Sequence, residues 1–133
     1  MDKIAFTEQD VLQQEKLVQN RIHESRATAK DKGLNLPGAE IVVIFLAGKV
    51  VLPIICGMIS RVLYDKFKNI QTKSDADAAR KAIAQASAQN EPVDRATIQK
   101  EVTKSLADEG LPPVVAEKIV KETMADIASK HFS

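Results

Sequence analysis

Few side chains in this sequence have the type and spacing that metal binding or nucleophilic catalysis requires. His23 and His131 are far apart along the chain, and neither has a carboxylate or a cysteine at the spacing of a metal ligand. Cys56 lies inside an apolar run with no histidine beside it, which is typical of a structural thiol rather than a reactive one. We therefore expect no metal site, no cofactor and no catalytic residue.

Two other patterns that resemble catalytic motifs have simpler explanations. Acidic pairs such as Asp75/Asp77 stand at the ends of predicted helices, where carboxylates cap the chain or complement the helix dipole. Gly48 and Lys49 are followed by a valine, so they lack the serine or threonine that completes a phosphate-binding loop. The sequence thus predicts a protein that is not an enzyme.

The charge balance and the aromatic content argue against nucleic acid as a partner. The 133 residues include 19 lysines and arginines against 18 aspartates and glutamates, so no strong net field attracts phosphates. There is no tryptophan, one tyrosine and four phenylalanines, too few for a platform on which bases stack. A chain of this length is sufficient for one modest core.

The segment from Ile41 to Ile59 is apolar on every side of a helix, and the other elements must arrange themselves around it. As a helix it is about 28 Å long, close to the thickness of the hydrocarbon layer of a bilayer. Two buried strands are the weaker alternative, because Pro53 is poorly tolerated in a central strand and no turn signal interrupts the run. We predict one helix over residues 39–70, kinked at Pro53.

One side of this predicted helix collects its lysine and its small or polar residues. We expect that side to face a second copy of the chain or a watery lumen, and its members are Lys49, Pro53, Cys56, Gly57 and Ser60. A helix of this composition needs cover in lipid and in water alike, so the pattern predicts a homo-oligomer. It also predicts that Cys56 lies near its symmetry mate.

Basic and aromatic residues follow the apolar run and are typical of the headgroup layer, where cations and half-wet rings anchor a membrane helix. They are Arg61, Tyr64, Lys66, Phe67 and Lys68. Basic residues are more numerous after the run than before it, so the positive-inside rule favours a cytoplasmic C-terminus. The alternative is that these residues form the amphipathic end of a soluble helix.

Residues 1–38 are predicted to form a long charged helix and a turn. Thr7 is the candidate N-terminal cap, Val11, Val18 and Ile22 recur at helical spacing, and Gly33 ends the helix. The apolar stripe is thin. Two arrangements satisfy it: a coiled coil with another copy, or packing on the next element of the same chain.

Residues 71–133 are predicted to form an alanine-rich helix and then a helical hairpin. Ser74 is the expected cap of the first helix, which runs from Asp75 to about Gln89. Asp94 and Gly110 mark the ends of the next helix, and a pair of prolines starts the last one. The apolar faces of the hairpin need a third surface, so we expect them to bind a partner or another copy through Ile98, Val102, Leu106, Val115 and Ile119.

The sequence therefore predicts an all-α protein in which residues 40–63 cross a membrane once and associate with other copies, as an assembly anchor or a small pore. The insertion energy lies between marginally favourable and neutral: thirteen strongly apolar residues at about −0.4 kcal/mol each are opposed by about +2.5 to +3.5 for Lys49 and by a smaller penalty for Pro53. The alternative is a soluble cytoplasmic module for interaction or structure, whose apolar helix forms the core of a homo-oligomer. A protein partner fits both alternatives.

Overall fold

The computed structural model of the protein describes residues 6–31, 40–86 and 91–132, and within these ranges the chain is helical with no strand. The all-α prediction is confirmed. The six helices are α1 Glu8–Asp31, α2 Glu40–Ile59, α3 Arg61–Phe67, α4 Lys73–Gln85, α5 Arg95–Asp108 and α6 Pro113–His131.

Helix α2 is the centre of the fold. Within the described residues it contacts each of the other five helices, and no other helix does so there. Every residue from Val50 to Ile59 is buried. A helix that is apolar all round must be covered all round, and here the rest of the same chain supplies that cover.

Helix α1 begins where the sequence predicts and packs on the next element of its own chain. The Thr7 hydroxyl accepts a hydrogen bond from the Asp10 amide, and the Asp10 carboxylate accepts one from the Thr7 amide. This reciprocal cap satisfies two backbone donors at the start of the helix. The predicted stripe of Val11, Val18 and Ile22 is buried, and α1 contacts α2, α4 and α6.

The prediction of one continuous helix over residues 39–70 is wrong at Ser60. Helix α2 ends at Ile59, and the backbone of Ser60 is extended. The Ser60 hydroxyl accepts hydrogen bonds from the amides of Val62 and Leu63 and so caps the start of α3. The break is held from outside the helix as well. The Val93 amide donates to the Gly57 carbonyl at 2.8 Å, and the Arg61 amide donates to the Glu91 carbonyl at 3.0 Å. The predicted span 40–63 is therefore helical without interruption only to residue 59.

Helix α4 begins two residues before the predicted start. Its cap is Thr72 and not Ser74: the Thr72 hydroxyl accepts from the Asp75 amide, and the Asp75 carboxylate accepts from the Thr72 amide. The helix ends at Gln85, with Ala86 in an extended conformation. The rest of the stretch to Gln89 that was predicted to be helical lies outside the described residues.

Helices α5 and α6 form the predicted hairpin. Asp94 caps α5 by accepting from the Thr97 amide, Gly110 has a φ of 114° just after the helix, and Pro113 is the first residue of α6. A φ in this region favours glycine because it has no Cβ. The hairpin packs against α2, which is the third surface that its apolar faces require.

Candidate functional site

Lys49 lies in the middle of α2 and is neutralised within its own chain. Its ammonium is 2.9 Å from the Glu109 carboxylate just after α5, and 5.2 Å from the centroid of the Phe45 ring. The side chains of Lys49 and Glu109 are 15% and 38% exposed. The lysine therefore reaches the edge of the bundle and needs neither a lumen nor a second copy to balance its charge.

The remaining residues of the predicted oligomer-facing side are buried under the same chain. Pro53, Cys56, Gly57 and Ser60 are all buried, and Cys56 is 0% exposed. Burial raises the pKa of the Cys56 thiol to about 12, so it stays protonated at neutral pH. In this fold no second copy reaches Cys56, and a contact between copies through these residues would require the bundle to open.

Gly57 allows a close approach of α3 and α5 to α2. A Cβ at this position would lie 2.7 Å from Cδ1 of Ile98 and 2.9 Å from Cδ1 of Tyr64, which is inside van der Waals contact. The space beside Gly57, which was predicted to serve contact between copies, is thus filled by side chains of this chain's own helices α3 and α5.

A polar cleft of about 220 Å³ lies between α2, α3 and α5, lined among others by Lys49, Tyr64, Lys68 and Glu101. The Tyr64 hydroxyl donates to the Glu101 carboxylate. Burial, followed by the bond to Glu101 and its charge, raises the pKa of Tyr64. Because Lys68 lies 3.8 Å from Asp65 and Lys49 is bound to Glu109, the charged groups of the cleft already have partners.

The residues predicted to anchor α3 in a headgroup layer separate into two classes. Arg61, Lys66 and Lys68 are exposed, whereas Tyr64 and Phe67 are 3% and 6% exposed. The aromatic rings therefore belong to the core of the bundle, and the cations lie on its outer surface.

The residues predicted to bind a partner through the hairpin also face inward. Ile98, Val102, Leu106 and Ile119 are buried and Val115 is half-buried, so α2 and the two helices of the hairpin cover one another. They are core residues of this fold.

An apolar groove of about 460 Å³ between the first half of α2 and the start of α4 was not predicted. Its mouth is formed by Ile41, Val42 and Ile44, which are 77%, 36% and 46% exposed. The sequence does show that the apolar run begins at Ile41. It gives no sign that this end of the helix stays open while the other end is enclosed.

Behind the groove, a buried ion pair joins α1 to α4. Arg80 donates to both carboxylate oxygens of Glu15 at 2.7 Å and to Asp77 at 2.7 Å, and the Glu15 side chain is 3% exposed. The bond to Glu15 raises the pKa of Arg80. The pair lies against Gly48 of α2, where an added Cβ would make an ordinary van der Waals contact with the Glu15 carboxylate at 3.5 Å. This ion pair was not predicted from the sequence.

Among the described residues, no three histidine, cysteine, aspartate or glutamate side chains are grouped as metal ligands. Helix α2 alone of the described helices has the length and apolarity of a membrane span, and it is mostly buried inside the bundle. Comparisons of the chain with protein-family models, with curated proteins and with solved structures find no match.

Proposed function

We propose that this protein is a non-enzymatic helical module for interaction or structure that works folded in water, with α2 as the core of its own chain. The burial of every residue from Val50 to Ile59 carries this proposal. It develops the soluble alternative drawn from the sequence, but a single chain replaces the homo-oligomer as the source of the core.

The relative energies favour the closed bundle over a helix in lipid. Seven large apolar side chains lie between Val50 and Ile59, and they are removed from water in the closed bundle and in lipid alike, so their own burial favours neither state. Insertion of α2 would remove this helix from the faces that α1, α5 and α6 turn toward it. Since insertion itself is close to neutral, nothing offsets the exposure of those faces.

The test is to fractionate the expressed protein with and without detergent and to measure its mass and its unfolding. The proposal expects a monomer in the aqueous fraction that unfolds cooperatively without detergent. The Lys49→Leu variant makes α2 more apolar and should also stay in the aqueous fraction, as should the control Lys66→Leu on α3. Wild-type protein that resists extraction from membranes at high pH would overturn the proposal.

A second candidate function is membrane insertion of α2, as an anchor for an assembly or a small pore with a cytoplasmic C-terminus. The observation that favours it is the open first half of α2, where Ile41, Val42 and Ile44 are exposed on a helix long enough to span a bilayer. Insertion would uncover the side of α2 that contains Cys56 and Gly57. In this second candidate function, copies of the protein associate through that side.

The two candidates differ in the behaviour of Cys56. A closed bundle keeps the thiol from oxidation, so mild oxidant should give no disulfide-linked dimer in buffer. In protein reconstituted with liposomes, the second candidate expects a Cys56 dimer when the Cα atoms come within about 7 Å, or labelling of Cys56 from the lipid phase by an apolar maleimide. Absence of both reactions with liposomes would exclude it.

A further inference from the structure

We infer that the groove between α2 and α4 binds the monomeric anion of a single-chain fatty acid, with the acyl chain in the groove and the carboxylate at Lys73. The inference concerns a ligand of the folded bundle and goes beyond the proposed function. It depends on the walls of the groove and on the charges at its rim.

The walls are almost entirely apolar. Ile44 and Phe45 of α2 line one side, Ile70 and Ala76 line the other, and Gly48 leaves the floor without a side chain. The volume of about 460 Å³ lies within the range of small-molecule sites, roughly 300–1,000 Å³. Sites of this kind combine apolar walls with a few polar groups that orient the ligand.

Exposed apolar side chains concentrate at this place. Six large apolar residues are exposed in the described part of the chain, and three of them, Ile41, Val42 and Ile44, stand together at the mouth of the groove. Val62 and Val114 are exposed on α3 and α6, away from it, and single exposed residues of that kind are ordinary. A cluster over a cleft indicates a binding site.

At the rim of the groove, Lys73 is the basic side chain that can bind an anion. Among the described residues, the charged ones that line the groove are Lys73 and Arg80, and both are basic. Asp77 binds Arg80, and Asp75 accepts from the backbone amides of Gln71 and Thr72, so neither acid faces Lys73 as a partner.

Lys73 and Arg80 differ in the partners that they already have. A guanidinium carries five N–H donors, and three of those of Arg80 are used by Glu15 and Asp77. A carboxylate at the rim therefore meets the Lys73 ammonium, which has no ion pair within the described residues, whereas Arg80 is occupied by Glu15 and Asp77.

The other occupants fit less well. Three side chains that are 77%, 36% and 46% exposed present only a fraction of the roughly 800 Å² per partner that a stable dimer buries. A lipid surface would be contacted by the exposed tips alone and would leave the groove unfilled. A single acyl chain fills it.

The experiment measures displacement of a dansylated undecanoate, a probe that fluoresces in apolar sites, from the full-length protein. Dodecanoate below its micelle concentration should displace the probe at a stoichiometry of one, and the uncharged dodecanol should bind about tenfold more weakly, because it loses a charge-assisted contact. Ile44→Gln should weaken dodecanoate about tenfold by removing apolar contact.

Lys73→Glu should bring the affinity for dodecanoate down to that for dodecanol or below. Lys81→Glu is the matched control, because it makes the same charge change on α4 at an exposed residue that does not line the groove. Val114→Gln is the control for Ile44→Gln. Both controls should bind dodecanoate as the wild type does, and circular dichroism of all four variants checks that they are folded.

Failure of dodecanoate to displace the probe, or equal loss in Val114→Gln and Ile44→Gln, would overturn the assignment of the site. Equal affinity for dodecanoate and dodecanol in both wild type and Lys73→Glu would overturn the role of the carboxylate. Binding to vesicles of phosphatidylcholine and phosphatidylglycerol that Ile44→Gln abolishes, without any binding of dodecanoate, would overturn the inference in favour of a lipid surface.

Discussion

The two halves of α2 are both apolar, apart from Glu40 and Lys49 at the ends of the first, but they are covered in different ways. From Val50 to Ile59 the helix is enclosed by side chains of α3 and α5 that approach Gly57 closely. In the half from Glu40 to Lys49, the cover at Gly48 includes an ion pair between Glu15 and Arg80, and a groove stays open beside it. Apolarity therefore indicates that a helix must be covered, whereas the residues that face the helix determine what covers it and how completely.

The largest effect is expected from removing the cation that supports the first half. Arg80→Met leaves the Glu15 carboxylate buried without a partner and should lower the free energy of unfolding by about 3–5 kcal/mol. Asp77→Asn is the control and should lower it by no more than about 1 kcal/mol, since the Asp77 side chain is 51% exposed. Urea unfolding measures both.

Two further results sharpen this prediction. The double variant Glu15→Leu/Arg80→Met should recover most of the lost stability, because an apolar pair of similar size avoids the unpaired charge. In Arg80→Met, hydrogen exchange should accelerate in the first half of α2 before the second. An Arg80→Met variant as stable as Asp77→Asn would contradict a supporting role for the ion pair.

The two glycines of α2 provide a matched pair of intermediate effect. Gly57→Ala places a Cβ 2.7 Å from Ile98 and should destabilise the fold. The cost of overpacking, about 1–3 kcal/mol, exceeds the roughly 1 kcal/mol that alanine gains over glycine in a helix. Gly48→Ala makes ordinary contacts at 3.5 and 3.8 Å and should be stabilised by up to about 1 kcal/mol. Thermal unfolding of both variants checks the sign, and equal shifts would show that the halves are packed alike.

The effect that is smallest near neutral pH, where it vanishes, concerns Cys56 in the enclosed half, and it grows only above pH 9. Burial raises its pKa from 9.0 to about 12, so above pH 9 the unfolded chain loses a proton that the folded chain keeps. Stability is therefore complete below pH 9 and falls between pH 9 and 12, by at most about 1.4 kcal/mol per pH unit.

The Cys56→Ala variant lacks this titration and isolates it. The difference in the free energy of unfolding between wild type and Cys56→Ala should stay constant from pH 6 to 8 and shrink as the pH rises beyond 9. A difference independent of pH up to 10.5 would indicate that the thiol is accessible to water in the folded state.

The helix ends that were predicted correctly from the sequence are those that local chemistry determines. Thr7, Asp94 and Gly110 act within a few residues of themselves, so their types and positions are sufficient. The cap of α4 was assigned to Ser74 because both Thr72 and Ser74 have an aspartate three residues on. The structure uses Thr72, and Ile70 just before it is buried in the core.

The break at Ser60 and the cover of α2 were beyond the sequence for a different reason. Ser60 ends α2 where Val93 and Glu91, more than thirty residues later, bind the backbone at Gly57 and Arg61. Hydropathy likewise indicates that a segment avoids water. It does not indicate whether lipid, another copy or the rest of the same chain covers that segment in place of water. Such facts depend on residues distant in sequence, which a periodic pattern cannot connect.

The position of the cover along the chain has a consequence for synthesis on the ribosome. Helix α2 ends at Ile59, and the hairpin that completes its cover ends 72 residues later at His131. At about 5–20 residues per second, translation needs roughly 4–14 s to cross that interval. Within it, each nascent chain has a complete apolar helix that waits first for α5 and then for α6, so we expect a chaperone to bind this protein most strongly after α2 has been made and before α6 has followed.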